Sequence, residues 1–138
     1  MSTILQIANA DRNLHLLIQG LRVADLNEKL QGTGPFTLLA PVDLAFRNLS
    51  SPDSFENLLN KPAMMQRLID ILSYHILAGK KMIRDFRDGQ RFKTALGGDV
   101  IVAVKNGVVH INGARILARD MQGSNGVVHT IDSVNIPG

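Results

Sequence analysis

A short apolar run between chain breakers, residues 36–41, most constrains what this chain can fold into. Residues 34–35, Gly-Pro, precede the run, and Pro41 ends it because proline cannot donate to a strand ladder. A bounded run of this length is typical of a β-strand covered on both faces. Asp43 follows where a carboxylate can cap a helix, and residues 44–46 supply that helix's first apolar turn. The stretch predicts that three side chains lie in the main core: Phe36, Leu38 and Phe46.

Helical spacing of apolar residues dominates the rest of the first half. Residues 3–31 read as two or three helical pieces, and we expect a bend or break near Gly20. A short helix is predicted over residues 53–59, and a longer one from Pro62 to about Ser73. An extended segment, residues 74–77, should follow.

From Lys80 onward the apolar period changes to two, which predicts strands. Asn106-Gly107 indicates a two-residue hairpin turn, and residues 122–126 are predicted as a loop. Helices followed by antiparallel strands indicate an α+β fold and not alternating βαβ units. The predicted strands cover residues 91–96, 100–104, 108–111, 114–118 and 127–136.

Three motifs occur in the order found in a known family. Ala40-Pro41 with Asp43 and Ala45-Phe46 forms the first, Tyr74-His75 the second, and residues 125–132 the third. Together they resemble the fasciclin domain family, although Val42 stands where the family usually has threonine. The resemblance implies one domain over residues 1–138, a wedge of two mainly antiparallel β-sheets with an amino-terminal helical layer. It also implies structural roles for six motif residues: Phe36, Asp43, Phe46, His75, His129 and Asp132. We expect His75 to be buried, with Asp43 as a partner.

The sequence does not indicate catalysis. It has no cysteine, its four histidines lack the spacing of a zinc site on one helix, and no nucleophile or phosphate-loop motif occurs. We therefore expect no enzyme, no metal site and no cofactor. The first residues lack the regions of a signal peptide, so any export signal should have been removed. No window reaches the ~18 uninterrupted apolar residues of a membrane helix, so we expect no transmembrane segment.

Basic residues cluster in one segment, residues 80–93, which carries six basic and two acidic side chains although the chain's net charge is only +3. Such a run is usually a solvated rim, but it can also bind an anionic polysaccharide or a membrane surface. Nucleic acid is disfavoured because Phe86 and Phe92 alternate like core residues and no other aromatic side chain is near to stack on bases. The candidate polyanion-binding residues are Lys80, Lys81, Arg84, Arg87, Arg91 and Lys93.

The resemblance also implies candidate partner-binding residues. In fasciclin domains of vertebrate matrix proteins, an Asp-Ile motif before the last signature is implicated in integrin recognition, as is the Tyr-His region. The similar positions here are Asp120-Met121 and Tyr74-His75. Asp120 could be an exposed carboxylate, or it could satisfy backbone donors in a turn while Met121 packs inward.

The leading hypothesis is therefore an adhesion module, secreted, periplasmic or on the cell surface. It would bind a cell-surface or matrix protein, or a second copy of itself. Polyanion binding is the alternative.

Overall fold

The computed structural model describes residues 1–138. Six α-helices occur: α1 (Ile4–Ala10), α2 (His15–Val23), α3 (Asn27–Leu30), α4 (Asp43–Arg47), α5 (Phe55–Asn60) and α6 (Met65–Ser73). Two 3-10 turns, Pro62–Met64 and Ile83–Asp85, accompany them. The strands are β1 (Phe36–Pro41), β2 (Ile76–Ala78), β3 (Arg91–Lys93), β4 (Asp99–Lys105), β5 (Val108–Ile111), β6 (Ala114–Arg115), β7 (Met121–Gly123) and β8 (Gly126–Ile131).

The strands form two four-stranded sheets, one in the order β2-β1-β8-β7 and the other in the order β3-β4-β5-β6. Only β1 and β8 are parallel, in a register that runs from Phe36 opposite Gly126 to Pro41 opposite Ile131. Single bridges from Leu77 to Thr94 and from Ile116 to Ile131 join the sheets. The predicted α+β fold, with two mainly antiparallel sheets and an amino-terminal helical layer, is confirmed.

Strand β1 is buried on both faces, as its unbroken apolar sequence predicts. Leu38 belongs to the core between the helices and the first sheet, whereas Leu39 belongs to the core between the two sheets. Alternate side chains of one strand therefore serve two cores. Phe46 of α4 is fully buried, and Phe36 is partly buried against the helical core. The predicted core positions are confirmed, with Phe36 at the margin.

The predicted break at Gly20 is wrong, because α2 runs through this residue without interruption. Gly20 is buried, and a Cβ atom there would lie 3.3 Å from Leu72 Cδ1 of α6. The missing side chain allows two helices to approach closely, which offsets its low helix propensity. The helical layer is interrupted instead on either side of α2, at residues 11–14 and 24–26.

Asp43 does not cap its own helix. The N-cap of α4 is Val42, which makes no side-chain capping bond. The Asp43 carboxylate accepts a hydrogen bond from the Leu16 N–H at 2.8 Å, in the first turn of α2. The Asp43 N–H donates to the Asn13 carbonyl at 2.7 Å. Asp43 thus satisfies a free donor at the start of a different helix, and the predicted cap is wrong.

Several predicted strand bounds also change. The predicted loop over residues 122–126 is wrong, because Met121–Gly123 forms the edge strand β7 and only residues 124–125 turn. Strands β3, β6 and β8 end earlier than predicted, and Tyr74 ends helix α6 before the chain becomes extended at Ile76. None of the helices is long and apolar enough to cross a membrane.

Candidate partner-binding surface

Asp120 lies between β6 and β7 with a positive φ of 58°. Its carboxylate Oδ1 accepts a hydrogen bond from the Ile83 N–H at 2.8 Å, and its own N–H donates to His129 Nδ1 at 3.1 Å. The side chain retains only 31% exposure. Of the two alternatives for Asp120, the half-buried carboxylate agrees better with a role in satisfying a backbone donor, although the donor lies in a distant segment and not in the turn. A contact between Asp120 and a partner stays a prediction.

His129 holds the same distant segment from within β8. Its ring is fully buried, and Nε2 donates to the Lys81 carbonyl at 2.7 Å while Nδ1 accepts from the Asp120 N–H. This pattern requires the neutral ring protonated on Nε2. Burial lowers the pKa of His129, and the Lys81 carbonyl and the Asp120 carboxylate only partly oppose that effect. The Phe86 ring packs edge-on against it, with the centroids 5.5 Å apart.

Thr37 supplies a second anchor for the segment. Its hydroxyl donates to the Gly79 carbonyl at 2.7 Å and accepts from the Lys81 N–H at 2.8 Å. Residues 79–86 are thus attached to β1 through Thr37 and to the β7–β8 side of the sheet through Asp120 and His129. The segment is a fixed part of the fold and not a free loop.

The six basic candidates have different environments. Lys81 is half-buried, and its Nζ lies 5.2 Å from the centroid of the Phe92 ring. Lys80 is exposed and donates to Gln122 Oε1 on β7. Arg84 and Arg87 are exposed. The remaining two, Arg91 and Lys93, are exposed on the edge strand β3, on either side of Phe92 in the sequence.

The Ile83–Asp120 and Lys80–Gln122 bonds bring together two regions that the sequence presents as separate hypotheses. A small pocket of about 160 Å³ lies beside Ile83 and is lined also by Arg115, Leu117 and Arg119, among others. Leu117 is 48% exposed. We call this combined surface the basic edge and define it by Lys80, Ile83, Arg84, Arg87, Arg115, Leu117, Arg119 and Gln122.

Sequence reasoning missed Arg115 and Leu117 as members of this surface. Arg115 ends β6 and Leu117 lies in the connection from β6 to β7, and neither belongs to a motif. Met121, in contrast, is half-buried and packs against the helical core. That placement agrees with the inward-packing alternative for Met121, whereas a contact between Met121 and a partner stays a prediction.

Tyr74 and His75 are buried elsewhere. The Tyr74 hydroxyl donates to the Asp99 carbonyl at 2.6 Å and accepts from Asn112 Nδ2 at 2.8 Å. His75 Nδ1 donates to the Ile71 carbonyl at 2.7 Å, and Nε2 accepts from the Asn135 N–H at 2.9 Å. Burial lowers the pKa of His75 to about 4.

The predicted burial of His75 is confirmed. Its predicted partner Asp43 is wrong, because both ring nitrogens bond to backbone groups. A role for Tyr74 or His75 in binding a partner stays a prediction.

The third motif contributes a junction that sequence reasoning did not single out. Asn125 Oδ1 accepts from the Ile4 N–H at 2.9 Å, and Nδ2 donates to the carbonyls of Leu30 and Gly32, each at 2.8 Å. At the next position, Gly126, a Cβ atom would collide with the Phe36 carbonyl oxygen. Close approach of other chain segments therefore requires the Asn-Gly pair at these two positions. In the sequence, only the third motif indicated that this pair is important.

Asp132, the last residue of the third motif, is exposed. Its Oδ1 accepts from the Arg115 N–H at 2.9 Å and from the Ser133 hydroxyl at 3.2 Å. Asp132 therefore ties the end of β8 to β6 at the boundary of the basic edge.

The fold is an α+β arrangement of two joined sheets under a helical layer, and the buried motif residue His129 holds the basic segment beside its candidate surface. The family profile of the fasciclin domain matches residues 12–137. The chain belongs to the fasciclin domain family.

Its relatives include protein sll1483 of Synechocystis sp., 35% identical over 98% of this chain and 73% of the relative. Transforming growth factor-beta-induced protein ig-h3 of Sus scrofa is 30% identical over 99% of this chain, which spans 20% of that protein. Among solved structures, a FAS1 domain pair from the insect cell adhesion molecule fasciclin I has a TM-score of 0.73 at 18% identity. That match covers 99% of this chain and 51% of the other.

Proposed function

We propose that this chain is a non-catalytic adhesion module that acts outside the cell or at its surface and binds a protein partner through the basic edge. Fasciclin-domain homologues are adhesion-related, which supports the class of function. Residues 1–138 would act as one domain, and the partner would be a cell-surface or matrix protein or a second copy of this chain.

The observation that carries the proposal is the Ile83–Asp120 bond, because it joins the arginine-bearing segment to the chain around Leu117. Arginine is enriched in protein interfaces, and binding energy concentrates where an apolar anchor is surrounded by polar contacts. An exposed leucine beside Arg115 and Arg119 has this composition. The basic edge therefore fits a partner with an acidic rim around an apolar contact.

Bead aggregation and cell attachment test this proposal. Beads coated with the purified protein would be mixed with one another and with cells of the producing organism. Leu117→Ser combined with Arg119→Glu should reduce attachment strongly, whereas the control pair, Leu44→Ser with Arg47→Glu on α4, should leave it unchanged. Leu44 is 63% exposed and Arg47 is exposed, so the control makes the same chemical changes on another surface. Equal attachment by both double variants would show that the basic edge is not the binding surface.

Polyanion binding is the second candidate, and the exposure of five of the six cations of residues 80–93 favours it. A charge-driven complex weakens as salt rises and does not need an apolar anchor. On a heparin column, Arg84→Gln with Arg87→Gln should elute at lower salt, and Leu117→Ser should elute like the parent protein. If Leu117→Ser alone abolishes attachment to cells while heparin elution is unchanged, protein binding is favoured over polyanion binding.

A further inference from the structure

The largest cleft in the molecule lies where the chain between α3 and β1 passes the ends of β2 and β3. Its volume is about 600 Å³. Ligand sites commonly fall within this size range. The cleft is open to solvent beside the Leu77–Thr94 bridge that joins the two sheets. Its lining includes two basic residues and four apolar ones: Lys29, Lys93, Pro35, Phe36, Ala78 and Ala95.

The walls of the cleft are fixed by backbone hydrogen bonds. The Gly79 N–H donates to the Pro35 carbonyl at 2.9 Å, and the Ala95 N–H donates to the Ile76 carbonyl at 2.8 Å. Gly34 has a positive φ of 61°, and a Cβ atom there would lie 2.7 Å from the Asn125 carbonyl oxygen. The connection is thus packed tightly onto the sheet, and the cleft is preformed. A preformed site loses less conformational entropy when a ligand binds.

The charge of the cleft is positive. Lys29 and Lys93 line it, both are exposed, and neither forms an ion pair within the protein. No aspartate or glutamate is among the lining residues. Asp99 lies opposite Lys93 in the register of β3 and β4, but no carboxylate oxygen is within 4.0 Å of the Lys93 ammonium group.

Further donors lie in the connection itself. Thr33 and Gly34 also line the cleft, and their N–H groups donate no hydrogen bond within the protein. A carboxylate can accept from backbone N–H groups and ammonium groups together. The side chains of Pro35 and Phe36, with Ala78 and Ala95 opposite, supply an apolar surface next to these donors.

We propose that this cleft binds a small amphipathic carboxylate, with the carboxylate group between Lys29 and Lys93 and an apolar body against Pro35, Phe36, Ala78 and Ala95. A medium-chain fatty acid has this chemistry. The site is independent of the basic edge and of the adhesion proposed above, since none of its lining residues belongs to that surface.

Octanoate is the probe, titrated into ¹⁵N-labelled protein and followed by amide chemical shifts. Saturable shifts should appear in residues 29–36, 76–79 and 93–95. Octanol, which lacks the charge, should bind at least several-fold more weakly, and inorganic phosphate, which lacks the apolar body, should give no saturable shifts at these residues. Equal binding of octanol and octanoate would overturn the proposal, as would saturable phosphate binding at the same residues or octanoate shifts confined to other regions.

Variants separate the two parts of the site. Lys29→Gln with Lys93→Gln should weaken octanoate binding by roughly tenfold, as expected when two partly solvated charge contacts are lost. Lys61→Gln with Lys105→Gln removes the same charge from exposed positions outside the cleft and should leave the affinity unchanged. Ala95→Glu should abolish binding, whereas Ala63→Glu on the 3-10 turn should not. Unchanged octanoate affinity in either cleft variant would contradict the site.

Discussion

The N–H of Ile83 donates to the carboxylate of Asp120 across 37 positions of the chain, at a distance of 2.8 Å. Together with the His129–Lys81 bond, this contact attaches the basic segment to the first sheet. A surface assembled in this way has a defined shape before any partner arrives, because its backbone is held at several points. The Asp120 side chain can be altered without changing the exposed arginines, so the contribution of this bond can be measured separately from theirs.

Asp120→Ala should lower the free energy of unfolding by about 1–3 kcal/mol, because the Ile83 N–H loses its acceptor. A second cost arises from the positive φ at this position, which aspartate and asparagine tolerate better than alanine. Asp120→Asn keeps an acceptor and tolerates the positive φ, so its free energy of unfolding should be much closer to that of the parent. Urea unfolding measures the stability, and hydrogen exchange at the Ile83 amide reports the bond itself. Unchanged exchange in the alanine variant would show that the bond does not hold the segment.

Phe46→Ala should cost roughly 3–5 kcal/mol, as a large-to-small change at a fully buried aromatic residue does. The ring packs against Phe55 of α5, with centroids 4.9 Å apart, and is 1% exposed. The neighbouring Leu44→Ala on the same helix changes an exposed residue and should cost less than about 0.5 kcal/mol. Denaturant midpoints of the two variants provide the comparison. Similar losses in both would contradict the assignment of Phe46 as the core contact of α4.

The buried histidines predict loss of stability in mild acid. Burial lowers the pKa of His75 from 6.5 to about 4, so the unfolded chain binds a proton between these values that the folded chain does not. Stability should therefore fall as the pH falls from about 6.5 towards 4, with no further loss from this residue below that range. The lowered pKa of His129 acts in the same direction.

For His75 alone, the full loss of unfolding free energy on acidification is about 3 kcal/mol, because each unit by which the pKa is lowered contributes about 1.4 kcal/mol. Urea unfolding at pH 7 and at pH 4 measures most of it. His75→Gln removes the titrating group, so the variant should be less stable at pH 7 but lose less stability on acidification. Parallel pH profiles for the parent and the variant would show that His75 does not cause the acid sensitivity.

Local pattern was sufficient for the central element of the fold. The bounded apolar run predicted β1 and its burial on both faces, and the residues after Pro41 predicted α4. Local pattern could not predict which distant segments pair, since β1 lies parallel to β8, about 90 positions away in the chain. Gly20 was misread for a related reason: its low helix propensity is a local property, whereas its close approach to Leu72 is a tertiary one.

The candidate site was likewise only partly predictable from the sequence. The motif resemblance singled out Asp120 and His129, and charge counting singled out residues 80–93. Neither indicated that these groups share one region, because Asp120 and His129 bond to a backbone N–H of Ile83 and a backbone carbonyl of Lys81, groups that every residue has. Asp43 illustrates the same limit. Its sequence position identified it as a helix-capping residue, but only the folded chain shows that the capped helix is α2.

Asn125 gives the sharpest test of the third motif. Its side chain is buried and bonds to three backbone groups, the Ile4 N–H and the carbonyls of Leu30 and Gly32. Asn125→Ala leaves these groups without partners and should lower the free energy of unfolding by at least about 2–3 kcal/mol. Asn125→Asp has nearly the same shape and keeps the acceptor for Ile4, but it places a carboxylate oxygen against two carbonyl oxygens.

The aspartate variant should therefore also be destabilised, and its loss should shrink at acidic pH, where a protonated carboxyl can donate again. Ser124→Ala, at the exposed neighbouring position, is the control and should remain close to the parent. Thermal and urea unfolding at pH 7 and pH 5 would measure all three variants. If Asn125→Asp were as stable as the parent at pH 7, the two bonds that the amide donates to Leu30 and Gly32 would contribute little, and shape alone would account for asparagine at this junction.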